Sequence, residues 1–216
     1  MRPKAAKLKK PAVPPRRRYH HGNLREALIR ATLRLIEERG IENVSVREAA
    51  KRAGVSAGAP FRHFPNRTAL MTAVAEQATR RLLDAMRVAR ERTAGLDPLK
   101  RFRALGDAYM QWAIGNPTHF QVVSNRRLID FEGSESLRGD TDQIKSIMDS
   151  FLAEAAARGE LRQAHIETIP LAARALAYGL ARMHVDGHFP QWGVKAGAEA
   201  QAFRRVFDLF TNSISR

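Results

Sequence analysis

The sequence predicts an all-α protein: a small N-terminal unit of three helices followed by a larger helical body. Three observations carry that prediction. Apolar residues recur at three- and four-residue spacing along most of the chain, while Val/Ile/Thr runs of alternating polarity are missing. Alanine and arginine, both strong helix formers, are abundant. Capping residues, glycines and prolines stand where the periodic stretches begin and end. At 216 residues, 44% hydrophobic and 27% charged, the chain can bury a sizeable core.

Taken in order, residues 1–18 hold eight Lys/Arg and no acid, with Pro and Ala between them. Such a stretch is expected to be a disordered basic arm, either adding contacts to a polyanion or simply solvated. Asn23 is placed to cap a first helix from Leu24 to Arg39, with Leu24, Ala27, Leu28, Ala31 and Leu35 as its buried stripe and Gly40 as its stop.

From Ser45 to Phe64 the pattern is two short helices with a tight turn between them. Ser45 and Glu48 have the spacing of a capping box, in which the carboxylate reaches back to the Ser45 amide. Val46, Ala49, Ala50 and Ala53 share one face, and Gly54 can take the left-handed conformation that closes a helix. Val55 should be buried under the turn, and Ser56 should cap a second helix beginning at Ala57 and ending at Phe64 and Pro65. Helices this short must lean on a third, and a helix–turn–helix unit places its second helix in the DNA major groove.

Asn66 or Arg67 opens a long helix to about Arg92. Asp97 and Pro98 start another, carrying Leu99, Phe102, Leu105, Tyr109 and Trp112, which stops at Gly115-Asn116-Pro117. A short helix is expected from Thr118 to about Arg126, a loop from Asp130 to Gly139, and an amphipathic helix from Asp140 to Arg158. Pro170 to about Asp186 has little polar surface beyond Arg174 and Arg182 and should be buried on most sides. Glu199 to Ile214 carries Phe203, Val206, Phe207, Phe210 and Ile214 at helical spacing. This last pair leaves more apolar surface than one small body can bury. A two-fold interface through Ala175, Tyr178, Gly179, Phe203, Val206, Phe207 and Phe210 would cover it.

Charge and motifs narrow the function. The net charge is +15. Residues 19–72 hold nine Lys/Arg against five acids, and 73–216 hold twenty against seventeen, so more than half of the excess sits in the arm. That balance favours a polyanionic partner, most simply nucleic acid. There is no Cys, hence no disulfide or thiolate chemistry. No apolar run approaches the length needed to cross a membrane, and the basic start lacks the apolar region of a secretory signal. A cytoplasmic protein is expected. Gly-rich phosphate loops, H-E-x-x-H and nucleophile elbows are missing, so no enzyme and no cofactor are expected. Asp140 and Asp142 read as solvated loop acids. His184 and His188 stand four apart without a third ligand, so no metal is expected.

The segment Tyr19 to Leu70 resembles the DNA-binding domain of the TetR (tetracycline repressor) family of bacterial transcription regulators. The resemblance rests on R-E-A-L-I-R-A-T-L-R-L-I-E-E-R-G, on V-S-V-R-E-A-A-K-R-A-G-V-S, and on A-P-F-R-H-F-P-N-R-T-A-L. It implies a helix–turn–helix head over 19–72 and an effector-binding, dimerising body over 73–216. It also implies a homodimeric repressor that binds a near-palindromic double-stranded operator and is released by a small molecule, dimerising through its last two helices.

By the same resemblance, Ser56, Ala57, Gly58, Pro60, Phe61, Arg62 and His63 occupy DNA-facing positions. Ser45, Arg47 and Arg67 match phosphate-contacting ones, at helix starts whose free amides suit an anion. Arg62 has the strongest physical case, because its guanidinium can hold guanine or phosphate in two bonds. Phe61 stands where tyrosine is frequent and supplies no phenolic hydrogen bond. In the body, Phe102, Tyr109, Trp112, Phe120, Met148, Phe151 and Met183 could line an effector pocket or could be plain core. A nucleoid-architectural protein that binds DNA through the arm without sequence choice is the alternative.

Overall fold

The computed structural model describes residues 21–162 and 166–216, so the expected arm at 1–18 lies outside the described residues. Eight α-helices are found among them: α1 His21–Arg39, α2 Val46–Arg52, α3 Arg67–Arg92, α4 Pro98–Gly115, α5 Pro117–Ser124, α6 Glu135–Ala157, α7 Ile169–Val185 and α8 Glu199–Ile214. The fold is all-α, with an isolated antiparallel bridge pairing Leu161 with Ser215.

Side-chain caps fix several boundaries. Ser45 Oγ accepts from the Glu48 amide, Asn66 Oδ1 from Ala69, Asp97 Oδ1 from Lys100 and Ser134 Oγ from Leu137. Only half of the expected capping box forms. The Glu48 carboxylate takes the Ser45 hydroxyl at 3.1 Å instead of reaching back to the Ser45 amide.

Several expectations need correction. Helix α1 starts at His21, so Asn23 lies inside its first turn. Its buried face is wider than a stripe: Ile29, Thr32 and Ile36 are buried with Leu28, Ala31 and Leu35, because α2, α3 and α5 all pack on it. The segment 135–139 is helical, not loop, because Ser134 caps it and Leu137 enters the core. That early start turns Asp140 inward. It is 2% exposed, pairs with Arg80 at 2.9 Å, and is no solvated acid.

The last two helices pack differently from their sequence pattern. In α7 only Ile169, Ala173, Ala177 and Ala181 are buried, whereas Leu171 stays 71% exposed. In α8, Phe203 and Phe207 stack at 5.2 Å inside the chain's own core, which removes them from any subunit interface. Val206 and Phe210 are half-buried, and Phe210 packs on that same core. Leu209, off the aromatic stripe, is 72% exposed.

Two cores result, and α3 runs through both. Leu70 to Ala75 sit in the head core with α1 and α2, while Ala78 to Met86 sit in the body core with α4, α6, α7 and α8. Val122, Ile129 and Leu137 from the body close the head core. Polar contacts stitch the joint: Arg25 to Glu76 at 2.9 Å, Ser134 Oγ to Glu76, Thr118 Oγ1 to Glu37, and the Asp130 amide to Thr72 Oγ1. His119, on α5, is buried there with its Nε2 3.1 Å from Gln77 Oε1.

Two predictions follow from this packing. A Cβ on Gly106 of α4 would stand 2.6 Å from Cε1 of Phe207, a ring held by its stack on Phe203. Gly106→Val should therefore lower stability by about 1–3 kcal/mol in urea unfolding, despite valine's better helix propensity. For His119, burial first and the charge of Arg81 second push the imidazole down to about 4. The unfolded chain takes that proton near 6.5, so the stabilisation is complete above about pH 6.5 and is withdrawn as the pH falls toward 4. Between pH 7.5 and pH 5 the wild type should lose about 2 kcal/mol more than His119→Gln. Equal losses would remove the buried imidazole as the cause.

Candidate nucleic-acid interface and body cavity

The turn of the head is built as its residues dictate. Gly54 takes φ +69°, and the chain folds back through Val55 N to Ala50 O at 3.1 Å. Val55 is half-buried against the head core, less than expected. The second helix is shorter than expected. In place of a helix from Ala57 there is a turn at Ala57 and Gly58 and one 3-10 turn, Ala59–Arg62. Pro60 explains it, since it has no amide to bond back toward Ser56, and its ring is buried against the head. Ser56 opens the turn with its carbonyl, which accepts from Ala59 N, and not with a side-chain cap. Phe64, 2% exposed, pins the far end under the Arg25 guanidinium.

This anchoring sorts the DNA-facing candidates. Ser56, Ala57, Gly58, Phe61 and Arg62 are exposed, and His63 is half-exposed. Pro60 points inward, where it sets the segment's shape and offers no surface. Ser45's hydroxyl is occupied by Glu48. Arg67 donates to the Ile41 carbonyl at 2.6 Å and lies 3.8 Å from Glu42, tied to the head's own loop. Arg39 and Arg52 are likewise held by Glu48 and Glu38. Arg47, Arg62 and Lys51 are exposed, and among the described residues no carboxylate pairs with them. Lys51 was not among the expected contacts. Its signal was only that it follows Arg47 by one helical turn.

The body holds a cavity of about 640 Å³, a size suited to a drug-sized ligand. Four expected residues line it: Phe102, Tyr109, Trp112 and Met148. Three do not. Phe120 and Phe151 are fully packed core, and Met183 is half-buried against that core, outside the lining. Leu82 and Met86 of α3 and Ile129 and Leu137 beside the head complete the apolar wall. Arg126, Lys145, Asp149, Glu167 and Arg174 supply its charged groups. Arg174 donates to the Tyr109 hydroxyl at 2.6 Å, and burial pushes the Tyr109 phenol up, so that partner is neutral. His184 packs its ring on Phe189, and no group of three metal-ligating residues occurs among the described residues. No helix is long and apolar enough to cross a membrane among the described residues.

Comparison with known proteins matches both parts of the chain. Residues 28–74 match the family model described as bacterial regulatory proteins, tetR family. Residues 102–210 match a model described as tetracyclin repressor-like, C-terminal domain. The HTH-type transcriptional regulator BetI of Stenotrophomonas maltophilia is 42% identical over 99 residues, which cover 45% of this chain and 50% of that protein. The HTH-type transcriptional repressor KstR of Mycobacterium tuberculosis is 26% identical over 136 residues, 63% of this chain and 60% of that one. The chain thus spans between half and three-fifths of the length of these two curated relatives. Among solved structures, a protein with unknown function from Rhodococcus sp. RHA1 superposes with a TM-score of 0.76 at 26% identity, covering 93% of this chain and 100% of that one.

Proposed function

Because this chain belongs to the TetR family of bacterial regulatory proteins, we propose that it is a homodimeric repressor, released from a near-palindromic operator by a small molecule in the body cavity. The observation that supports this reading best is α3. One continuous helix has its first turns packed in the head core and its later turns, at Thr79, Leu82 and Met86, in the cavity wall. Ile129 and Leu137 do the same from the other side, as members of the head core that also line the cavity. An occupant that shifts either wall shifts the head.

In this reading Arg62 reads or clamps the operator from the exposed 3-10 turn, with Phe61 and Ala57 beside it, while Arg47 and Lys51 meet phosphates. Two heads about 34–36 Å apart would enter successive major grooves on one face of the duplex. The effector favours a dimer whose heads miss that spacing, and by linkage the operator weakens effector binding by the same factor. The protein would act in the bacterial cytoplasm, without catalysis and without a cofactor.

The dimer would form through the outward sides of α7 and α8. Leu171, Ala175, Tyr178 and Arg182 fall on one side of α7 by helical periodicity, and Leu209 is the exposed leucine of α8. An apolar surface of that kind is the ordinary mark of an interface.

Two experiments test the proposal. Genomic fragments enriched by the full-length protein at near-physiological salt should yield one near-palindromic motif. Arg62→Ala should weaken binding to it by about ten- to a hundredfold with helical content unchanged. Enrichment without a motif, unaltered in the variant, would sink the repressor reading. In sedimentation velocity the wild type should run as a dimer and Leu171→Arg/Leu209→Arg as a folded monomer that no longer holds the operator. A variant that remains dimeric would move the interface elsewhere.

A further inference from the structure

The charges around the body cavity are not distributed as its apolar wall alone would require. The buried part of the wall is hydrocarbon and ring: Leu82, Phe102, Leu105 and Trp112 among others. Of its charged residues, Arg126, Lys145, Glu167 and Arg174 are exposed and Asp149 is half-buried, and Arg126 and Arg174 are the two that lie against aromatic rings. Arg126 lies 3.4 Å over the Phe131 ring, and Arg174 lies over Tyr109 and Tyr178 at 5.2 and 5.5 Å. Among the described residues no carboxylate comes within ion-pair distance of either guanidinium. Elsewhere in the body the half-buried arginines are paired, Arg101 with Glu154 and Arg103 with Asp107 and Asp208.

The two unpaired cations also feel each other. Burial above all weakens the hold of Arg126 on its proton; the nearby Glu132 charge opposes that, and the smaller effect of Arg174 adds to it. The neutral Tyr109 hydroxyl orients Arg174 without cancelling its charge. Two like charges at the exposed edge of an apolar wall, with ring faces beside both and Glu132 near one, make a place where an anion between them is favourable. Deeper in the wall, Thr79 Oγ1 and Trp112 Nε1 are buried without a hydrogen-bond partner.

We propose that this cavity takes an amphipathic oxyanion, its apolar part against the α3–α4–α6 wall and its acidic group held at the mouth by Arg126 and Arg174. The proposal rests on the cavity being the effector site and adds the chemical class of the effector. Position favours Arg126 as the sensor. It belongs to the turn that follows α5 and leads, through Asp130 and Ser134, to the Thr72 and Glu76 contacts of the head.

The chain has two tryptophans, Trp112 in the wall and Trp192, which is 74% exposed and outside the lining. In the Trp192→Phe background the full chain reports on the cavity by Trp112 fluorescence. The probes are dodecanoate, 1-dodecanol and dodecylammonium, below their aggregation limits. Dodecanoate should bind about tenfold or more tighter than the alcohol or the ammonium. Arg126→Gln/Arg174→Gln should erase that preference while binding dodecanol as before, which shows that its cavity is intact. Equal binding of the alcohol, a preference that survives in the variant, or no response to dodecanoate would each overturn the proposal. Release of the recovered operator fragment by dodecanoate is read separately. Binding without release keeps the ligand class and removes the effector role, whereas an operator motif with no dodecanoate response keeps the regulator and removes the ligand class.

Discussion

A helix is stiff along its length, and α3 must satisfy two cores with one set of side chains. Its Asn66 cap and the buried run Leu70 to Ala75 belong to the head, and Ala78 to Met86 belong to the body. At about 1.5 Å per residue its 26 residues extend roughly 39 Å, so a small tilt at the body end becomes a larger displacement at the head. The head has no independent answer to that tilt. Its two remaining helices and two 3-10 turns are too little to close a core, and Val122, Ile129 and Leu137 are borrowed from beyond α3 to seal it.

The joint is therefore apolar where it must hold and polar where it can yield. Arg25–Glu76 leaves the arginine about half-exposed, and such pairs contribute roughly 0–1 kcal/mol. The bonds from Ser134, Thr118 and the Asp130 amide add about 0.5–1.5 kcal/mol each. Individually these are small, and exchanging one for water costs little. Together they set one preferred angle of head to body without locking it. A ligand with a few kcal/mol of preference for another angle could reset it, which is the scale that coupling between sites requires. His119 stands apart from these labile contacts, because its neutral ring is sealed inside the joint and titrates only in acid.

How much of this was legible in the sequence depends on what each signal measures. Caps and breakers are local, and Ser45, Gly54, Asn66 and Asp97–Pro98 marked boundaries that the structure keeps. The amide that Pro60 lacks is tolerated early in a helix, so a helix was expected where one buried proline permits only a 3-10 turn. Ser134 carried the same capping signal as the others, but Gly133 and Gly139 around it looked like loop, and Asp140 was left in solvent as a consequence. Periodicity reports that a face is apolar and is silent on what covers it. That is why Phe203 and Phe207 looked like an interface although α4, thinned at Gly106 to admit the Phe207 ring, already covers them.

The same limit, turned around, explains why α7 has so little polar surface. Its residues advance about 100° each, so one helix can present three sides. Ala173, Ala177 and Ala181 face the body core and are small enough to let α4 approach. Ala173 and Ala177 also line the cavity with Pro170, and next around the cylinder Arg174 lies at its edge. Beyond them come Leu171, which also lines the cavity mouth, and Ala175 and Arg182, all three left exposed by the chain itself. In the proposed dimer such a helix would face core, ligand and partner, with no side left to be polar. Nor could it, in that dimer, answer to one of them alone: a rotation that fitted Arg174 to an anion would turn Leu171 and Ala175 by the same angle, so an occupant of the cavity would be felt at the subunit contact as well as through α3.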